Sequence, residues 1–283
     1  MDYEHQIKLI ATDLDGTLLD HQMILSEDNR IALERAAKND IIVVVATGRS
    51  FLSIPDQVKE IKGIKYAVTA NGAKIHDITT GELIEGSYIS ADTISLVWDI
   101  LKKKKIMLEV FVNGRPYVDS WDYVNPQIFG TTESYLKYFM SSRKPVEDIY
   151  RFIKENNTGI ENINLLFRSS KDRMKTLSVL QDIKEEKPVF TLTSSFPFNL
   201  EIGGYMVDKG GAIEKLCKRH SIKRENVMCI GDNFNDMSMV GFAGIGVAME
   251  DAASEVIALA DFVTKSSGES GVAFALKKFA IPE

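Results

Sequence analysis

The stretch Ile7-Lys8-Leu9-Ile10-Ala11-Thr12-Asp13-Leu14-Asp15-Gly16-Thr17 decides the fold. Residues 7–12 read as a buried strand that stops at Asp13, where polar residues and a glycine take over. Ser26 then caps a helix running to Asn39, with Glu27 and Asp28 in the first turn, where the helix dipole favours acids. Ile41 to Ala46 is a second strand, too apolar on both faces for a sheet with one wet side, and it stops at Thr47-Gly48-Arg49. A helix from about Ser50 to Ile61 and a strand from Tyr66 to Ala70 follow. Turn signals at Asn71-Gly72 and Thr79-Thr80-Gly81 mark a hairpin.

The same alternation returns near the other end of the chain. Lys209 to His220 reads as a helix, Val227 to Ile230 and Ile245 to Met249 as strands, and Phe262 to Thr264 as a short strand. Helices are expected from Asp251 to about Ala260 and from Gly271 to Phe279. Alternation at both ends predicts an α/β fold, a Rossmann-like parallel sheet assembled from residues 1–85 and 198–283. Between them, residues 86–197 have another texture. A helix over Thr93 to Lys105, a hairpin about Asn113-Gly114, and strands at Ile163–Phe167 and Val189–Thr193 flanking a helix over Lys171–Ile183 predict an inserted α+β domain.

Composition agrees with two domains in 283 residues, since about 150 residues per domain is usual. Apolar residues make up 45% and charged residues 26%, the mix of a globular protein with ample core. The net charge of −6 gives no overall attraction to nucleic acid or to anionic lipid. The longest aliphatic run is Ile41 to Ala46, and the first residues lack the basic and apolar regions of a signal peptide, so no membrane partner and a cytoplasmic location are expected. Cys217 and Cys229 sit in apolar patterns and read as buried thiols. The run Lys102 to Lys105 reads as a solvated helix end, and the aromatics Trp121, Tyr123, Phe129, Tyr135, Tyr138 and Phe139 as the insert's own small core.

The polar punctuation carries the chemistry. Asp13, Thr47 and Asp232 each follow a buried strand directly, and in a parallel sheet those ends share the edge where open α/β folds bind ligands. Asp13 and Asp15, two residues apart in extended backbone, point the same way. Two such close anions need a cation or a shared proton, and Asp232 can supply a third oxygen. With four histidines, none paired at ligand spacing, and no cysteine cluster, Mg²⁺ is preferred over zinc. Near such an ion an ionised aspartate can attack phosphorus, and a second can protonate the leaving oxygen and then deprotonate water. Thr47, the Gly48 amide and a lysine would hold the phosphoryl oxygens; Lys209, at a helix start, is the candidate.

Four segments, Asp13-Leu14-Asp15-Gly16-Thr17, Thr47-Gly48-Arg49, Lys209-Gly210 and Gly231-Asp232-Asn233-Phe234-Asn235-Asp236, resemble, in their order, the four motifs of haloacid dehalogenase-like phosphatases. The whole chain resembles the Cof-type branch (subfamily IIB), whose larger C2-type cap is inserted between the second and third motifs, here as residues 86–197. The resemblance implies Asp13 as nucleophile forming an aspartyl phosphate, Asp15 as general acid/base, and Lys209 completing the catalytic set. It implies phosphate binding by Thr47, Gly48, Arg49, Lys209 and Asn235. Mg²⁺ would sit on the Asp13 side chain, the Asp15 backbone carbonyl and Asp232; Asp236 is a further acidic candidate for the metal set and is implied to orient Lys209. The expected activity is Mg²⁺-dependent hydrolysis of a small, sugar phosphate-like metabolite. A phosphomutase on the same scaffold and a non-catalytic metabolite-sensing module are the alternatives; oligomeric state stays open between monomer and homo-oligomer.

Overall fold

The structure is a computed structural model that describes residues 6–102, 106–129 and 133–281. Lys103 to Lys105 and the side chain of Tyr135 lie outside the described residues. The chain divides into two compact units. The first holds the chain up to Gly48, Ile54–Glu85 and the chain from Asp208 onward; the second holds Arg49–Ser53 and Gly86–Val207.

In chain order the strands of the first unit are β1 (Leu9–Thr12), β2 (Ile42–Ala46), β3 (Ile64–Thr69), β4 (Lys74–Asp77) and β5 (Leu83–Gly86). Those of the second are β6 (Ile106–Val112), β7 (Arg115–Asp119), β8 (Lys144–Val146), β9 (Ile160–Phe167), β10 (Thr191–Thr193) and β11 (Asn199–Gly203). The chain then returns to the first sheet with β12 (Val227–Gly231), β13 (Ile245–Ala248) and β14 (Phe262–Val263). The first sheet has the order β14-β13-β12-β1-β2-β3-β4-β5. From β14 to β3 every neighbour is parallel, and β3 to β4 is an antiparallel hairpin.

β1 is central because it can be: Leu9, Ile10, Ala11 and Thr12 are all fully buried, with apolar residues on both faces. One face packs Leu9, Ala11, Val44, Ala46 and Val227 against Ile213 and Leu216 of the helix Lys209–Arg219. Each Leu, Ile or Val side chain so buried contributes about 1.5–3 kcal/mol. Cys217 and Cys229 are free and lie in this same core, as their patterns suggest. Ser26 caps the helix Glu27–Lys38 by accepting from the Asn29 amide, again as expected.

The structure differs from the sequence reading in several places, each with a local cause. The expected helix from Ser50 to Ile61 is two fragments, a 3₁₀ turn at Phe51–Ser53 and a short helix at Asp56–Lys59. Pro55 divides them: it has no amide to donate and forces the residue before it away from helical angles. The boundary expected between residues 197 and 198 falls later. β11 belongs to the second sheet, pairing antiparallel with both β9 and β10, so 198–207 join the second unit. Arg49–Ser53 join it too, and there the Leu52 amide donates to the Gly114 carbonyl.

The second unit is a six-stranded sheet of order β10-β11-β9-β6-β7-β8. Asn113 and Gly114 both have positive φ, 51° and 71°, as the tight turn joining β6 to β7 requires. On one face Ile106, Leu108, Val110, Ile163, Leu165 and Leu200 form a large core. On the other, Phe129 and Phe139 are buried with Met107, Val118 and Leu166, with Tyr123 and Tyr138 packed beside them. Trp121 departs from that pattern and is 53% exposed.

Candidate active site

Register explains why motifs far apart in sequence meet. Thr12 at the end of β1 aligns with Ile230 of β12 on one side and Val45 of β2 on the other. The residues just beyond, Asp13, Asp232 and Thr47, therefore emerge at the carboxyl edge of three adjacent parallel strands. There the order also changes direction, β1 connecting forward to β2 while β12 lies on its other flank, which is the position where such sheets bind ligands.

Lys209 is the centre of the site. It is the first residue of its helix, behind the cap Asp208, whose side chain accepts from the Gly211 amide at 2.8 Å. Its ammonium is fully buried and donates to Asp13 Oδ1 at 2.5 Å and to Asp236 Oδ1 at 2.6 Å. The other oxygen of Asp236 accepts from the amides of Asp232 and Asn233, each at 3.0 Å. Both Asp236 oxygens are thus committed to positioning Lys209 and the β12 loop. Burial alone would lower the Lys209 pKa, but the charges and hydrogen bonds of Asp13 and Asp236 outweigh it and raise it above the ordinary lysine value.

Asp13, Asp232 and Asp236 each offer an oxygen, and these atoms lie within 4.8 Å of one another. Asp232 is held by Thr17, whose hydroxyl donates to Oδ1 at 2.8 Å. Gly16, at φ 86°, passes so close that a Cβ there would lie 2.8 Å from Asp232 Oδ2. Burial, reinforced by the charges of Asp236 and Asp15, pushes the Asp13 carboxyl up to about 7 in spite of Lys209. Burial and the charges of Asp13 and Asp236 raise Asp232 well above the usual carboxylate range. Ionising all three carboxyls beside one ammonium would leave two negative charges without an offset, which is why both shifts are upward. An all-oxygen donor set with that deficit fits a hard divalent cation.

Thr47 is buried, its amide donating to the Val68 carbonyl at 2.9 Å, and Asn235 lies on the same side of the sheet edge with its amide nitrogen donating to Asn71 Oδ1 at 3.1 Å. Of the sequence candidates, Asp13, Asp15, Thr47, Gly48, Lys209, Asp232, Asn235 and Asp236 all belong to the first unit. Arg49 belongs to the second, where its guanidinium stacks 4.0 Å from the Tyr138 ring and donates to the Ser53 carbonyl at 3.1 Å. Two participants escaped the sequence reading. Thr17 lies inside the first motif with no role that the sequence alone implies, and Asn71 reads there only as a turn former.

This fold and site define a class: residues 10–276 match the haloacid dehalogenase-like hydrolases, and the chain belongs to that family, in its Cof-type branch. It is an enzyme of the phosphoric monoester hydrolase kind. Among its relatives is the phosphatase YwpJ of Bacillus subtilis, 32% identical, with 96% of this chain and 99% of that protein covered. Another, from the same organism, is the 5-amino-6-(5-phospho-D-ribitylamino)uracil phosphatase YcsE, 29% identical, with 97% and 96% covered. A solved haloacid dehalogenase-like hydrolase from B. subtilis superposes with a TM-score of 0.83 at 29% identity, covering 96% of this chain and 99% of that one.

Proposed function

We propose that the chain is a Mg²⁺-dependent phosphatase that hydrolyses a small phosphorylated metabolite through an aspartyl phosphate on Asp13. The observation that carries this reading is the buried Lys209 ammonium bridging Asp13 and Asp236 beside Asp232. Such an arrangement is costly for stability, since buried charges lose their hydration, and it makes chemical sense where a dianionic phosphoryl group is to be received.

Asp13 and Asp232 side chains, with the Asp15 carbonyl, would hold the ion, and Asp236 stays with Lys209. Mg²⁺ bound there would offset the repulsion between the Asp13 carboxylate and the phosphoryl oxygens. The Asp13 oxygen bonds to phosphorus as the ester oxygen departs, taking a proton from Asp15. Asp15, now a carboxylate, takes a proton from water as that water's oxygen bonds to phosphorus and the Asp13–phosphorus bond breaks. Lys209, the Thr47 hydroxyl, the Gly48 amide and the Asn235 side chain hold the phosphoryl oxygens throughout. No phosphate contact is assigned to Arg49, whose guanidinium is engaged by Tyr138 and Ser53. YcsE, named for a phosphorylated ribitylamino compound, supports a small phosphate ester as the substrate class.

A panel of sugar phosphates and related esters, assayed for released phosphate with Mg²⁺, tests this directly. Turnover is expected on at least one ester, and Asp13→Asn should lose it by about 10⁴-fold or more. Phosphate release by Asp13→Asn at the wild-type rate would overturn the assignment; isomerised ester in place of phosphate would transfer it to a mutase.

A further inference from the structure

Asn71 announces itself in the sequence only as half of an Asn-Gly turn, yet the structure gives it far more to do. It has φ 53°, the left-handed region that asparagine tolerates better than most residues, and it is only 5% exposed. The turn joining β3 to β4 could lie in solvent, as hairpin turns commonly do. Instead its residues Ala70, Asn71 and Gly72 are all buried.

Three of the four site loops meet this turn. The Asn71 amide donates to the Thr47 carbonyl at 3.1 Å, which fixes the loop after β2. Asn71 Oδ1 accepts from Asn235 Nδ2 at 3.1 Å, which orients the Asn235 amide in the loop after β12. A Cβ on Gly48 would lie 3.1 Å from Asn71 Oδ1 and 3.7 Å from Asn235 Nδ2, so these three residues share one small space. At Gly72 a Cβ would come within 2.1 Å of the carbonyl of Asp208, the cap of the Lys209 helix.

We infer that Asn71 is a positioning residue of the phosphate site, holding the Asn235 side chain and the Thr47-Gly48 backbone in the geometry that receives phosphoryl oxygens. This rests on the phosphatase reading above. Asn235 has one amide nitrogen, and its hydrogen bond to Asn71 decides which way its two ends face. Without that acceptor the amide can rotate, and Asn235 reaches the phosphoryl group less often. Displacement of a binding group by about 1 Å can cost up to 10²-fold in rate.

Asn71→Gly is the variant of choice, because glycine keeps the left-handed backbone while taking away the side chain that carries the acceptor. In the ¹⁵N spectrum of the free protein the Asn235 side-chain amide resonances should shift. The Ki for inorganic phosphate and the KM for the best ester should each rise about 10-fold, with kcat changed less than about 3-fold. In an Asn235→Ala background Asn71→Gly should add nothing further, because a positioning residue acts through its partner. Unmoved Asn235 resonances, an unchanged Ki, or an equal loss in the Asn235→Ala background would each overturn the inference. Wild-type protein that neither binds phosphate nor hydrolyses any ester would overturn the phosphatase reading and this inference with it, recognisable because the resonances would still move.

Discussion

At the scale of single residues, the two units handle buried charge differently. In the first, Asp13 and Asp236 have a lysine between them, and Asp232 has the Thr17 hydroxyl. In the second, Glu109 is fully buried and doubly hydrogen-bonded by Arg143, at 2.8 and 2.9 Å, with Asn164 donating as well. Asp122 has less help. Burial and the charge of Asp119 push its carboxyl up to about 6, and Arg168 only partly counters them. Because the folded value lies above the unfolded one, the folded state holds a proton that the unfolded chain has already released between about pH 4 and 6. Ionised Asp122 therefore lowers stability as pH rises through that window, and the cost is fully present above it. Asp122→Asn, neutral and of the same shape, should raise Tm by about 2 °C at pH 7.5 and leave it unchanged at pH 3.5. Thermal melts of both proteins at the two pH values check this; a gain of equal size at pH 3.5 would point to packing instead of charge.

At the scale of elements, what was legible in the sequence follows from how many signals converge on one place. β1, β2, β12 and β13 could be read because each is an apolar run ended by polar residues or glycine, and the ends of three of them carry Asp13, Thr47 and Asp232. β8 and β11 escaped because a strand of Lys144–Val146 has too few residues for a period, and because β11 adjoins the returning core segment in sequence while pairing with β9 in space. Asn71 escaped because its turn chemistry alone accounts for an Asn-Gly pair; its hydrogen bond to a residue 164 positions away leaves no local mark. The same turn yields a prediction about Gly72, which combines φ 100° with a Cβ position 2.1 Å from the Asp208 carbonyl. Gly72→Ala must shift the hairpin or the start of the Lys209 helix, at a cost of about 2 kcal/mol or more. Urea unfolding should show that loss, together with a fall in phosphatase activity larger than the unfolded fraction explains. Full activity with unchanged stability would mean that the helix start yields freely.

At the scale of the whole molecule, a chain interrupted by more than a hundred residues still builds one sheet with a parallel core, because β12 is drawn to the exposed flank of β1 by pairing as apolar as that of β2. Among the described residues no helix is long and apolar enough to cross a membrane. The first unit carries its acidic cluster at the edge of a buried apolar core, and that cluster should make its stability depend on cations. A ligand that binds only the folded state stabilises it by about 2.7 kcal/mol at a concentration of 100 Kd. Since about 1 kcal/mol moves Tm by about 2–4 °C in a domain of 150–250 residues, saturating Mg²⁺ should raise the Tm of the first unit by about 5–10 °C. Asp232→Asn should behave in the opposite sense twice over. Without metal it should melt higher than the wild type, because the cost of ionising a carboxyl beside Asp13 and Asp236 is gone, and with Mg²⁺ it should gain little. Melts of the two proteins in EDTA and across a Mg²⁺ titration separate these terms. A wild type indifferent to Mg²⁺, or an Asp232→Asn protein stabilised by it as strongly as the wild type, would remove the cluster from any role in holding the ion.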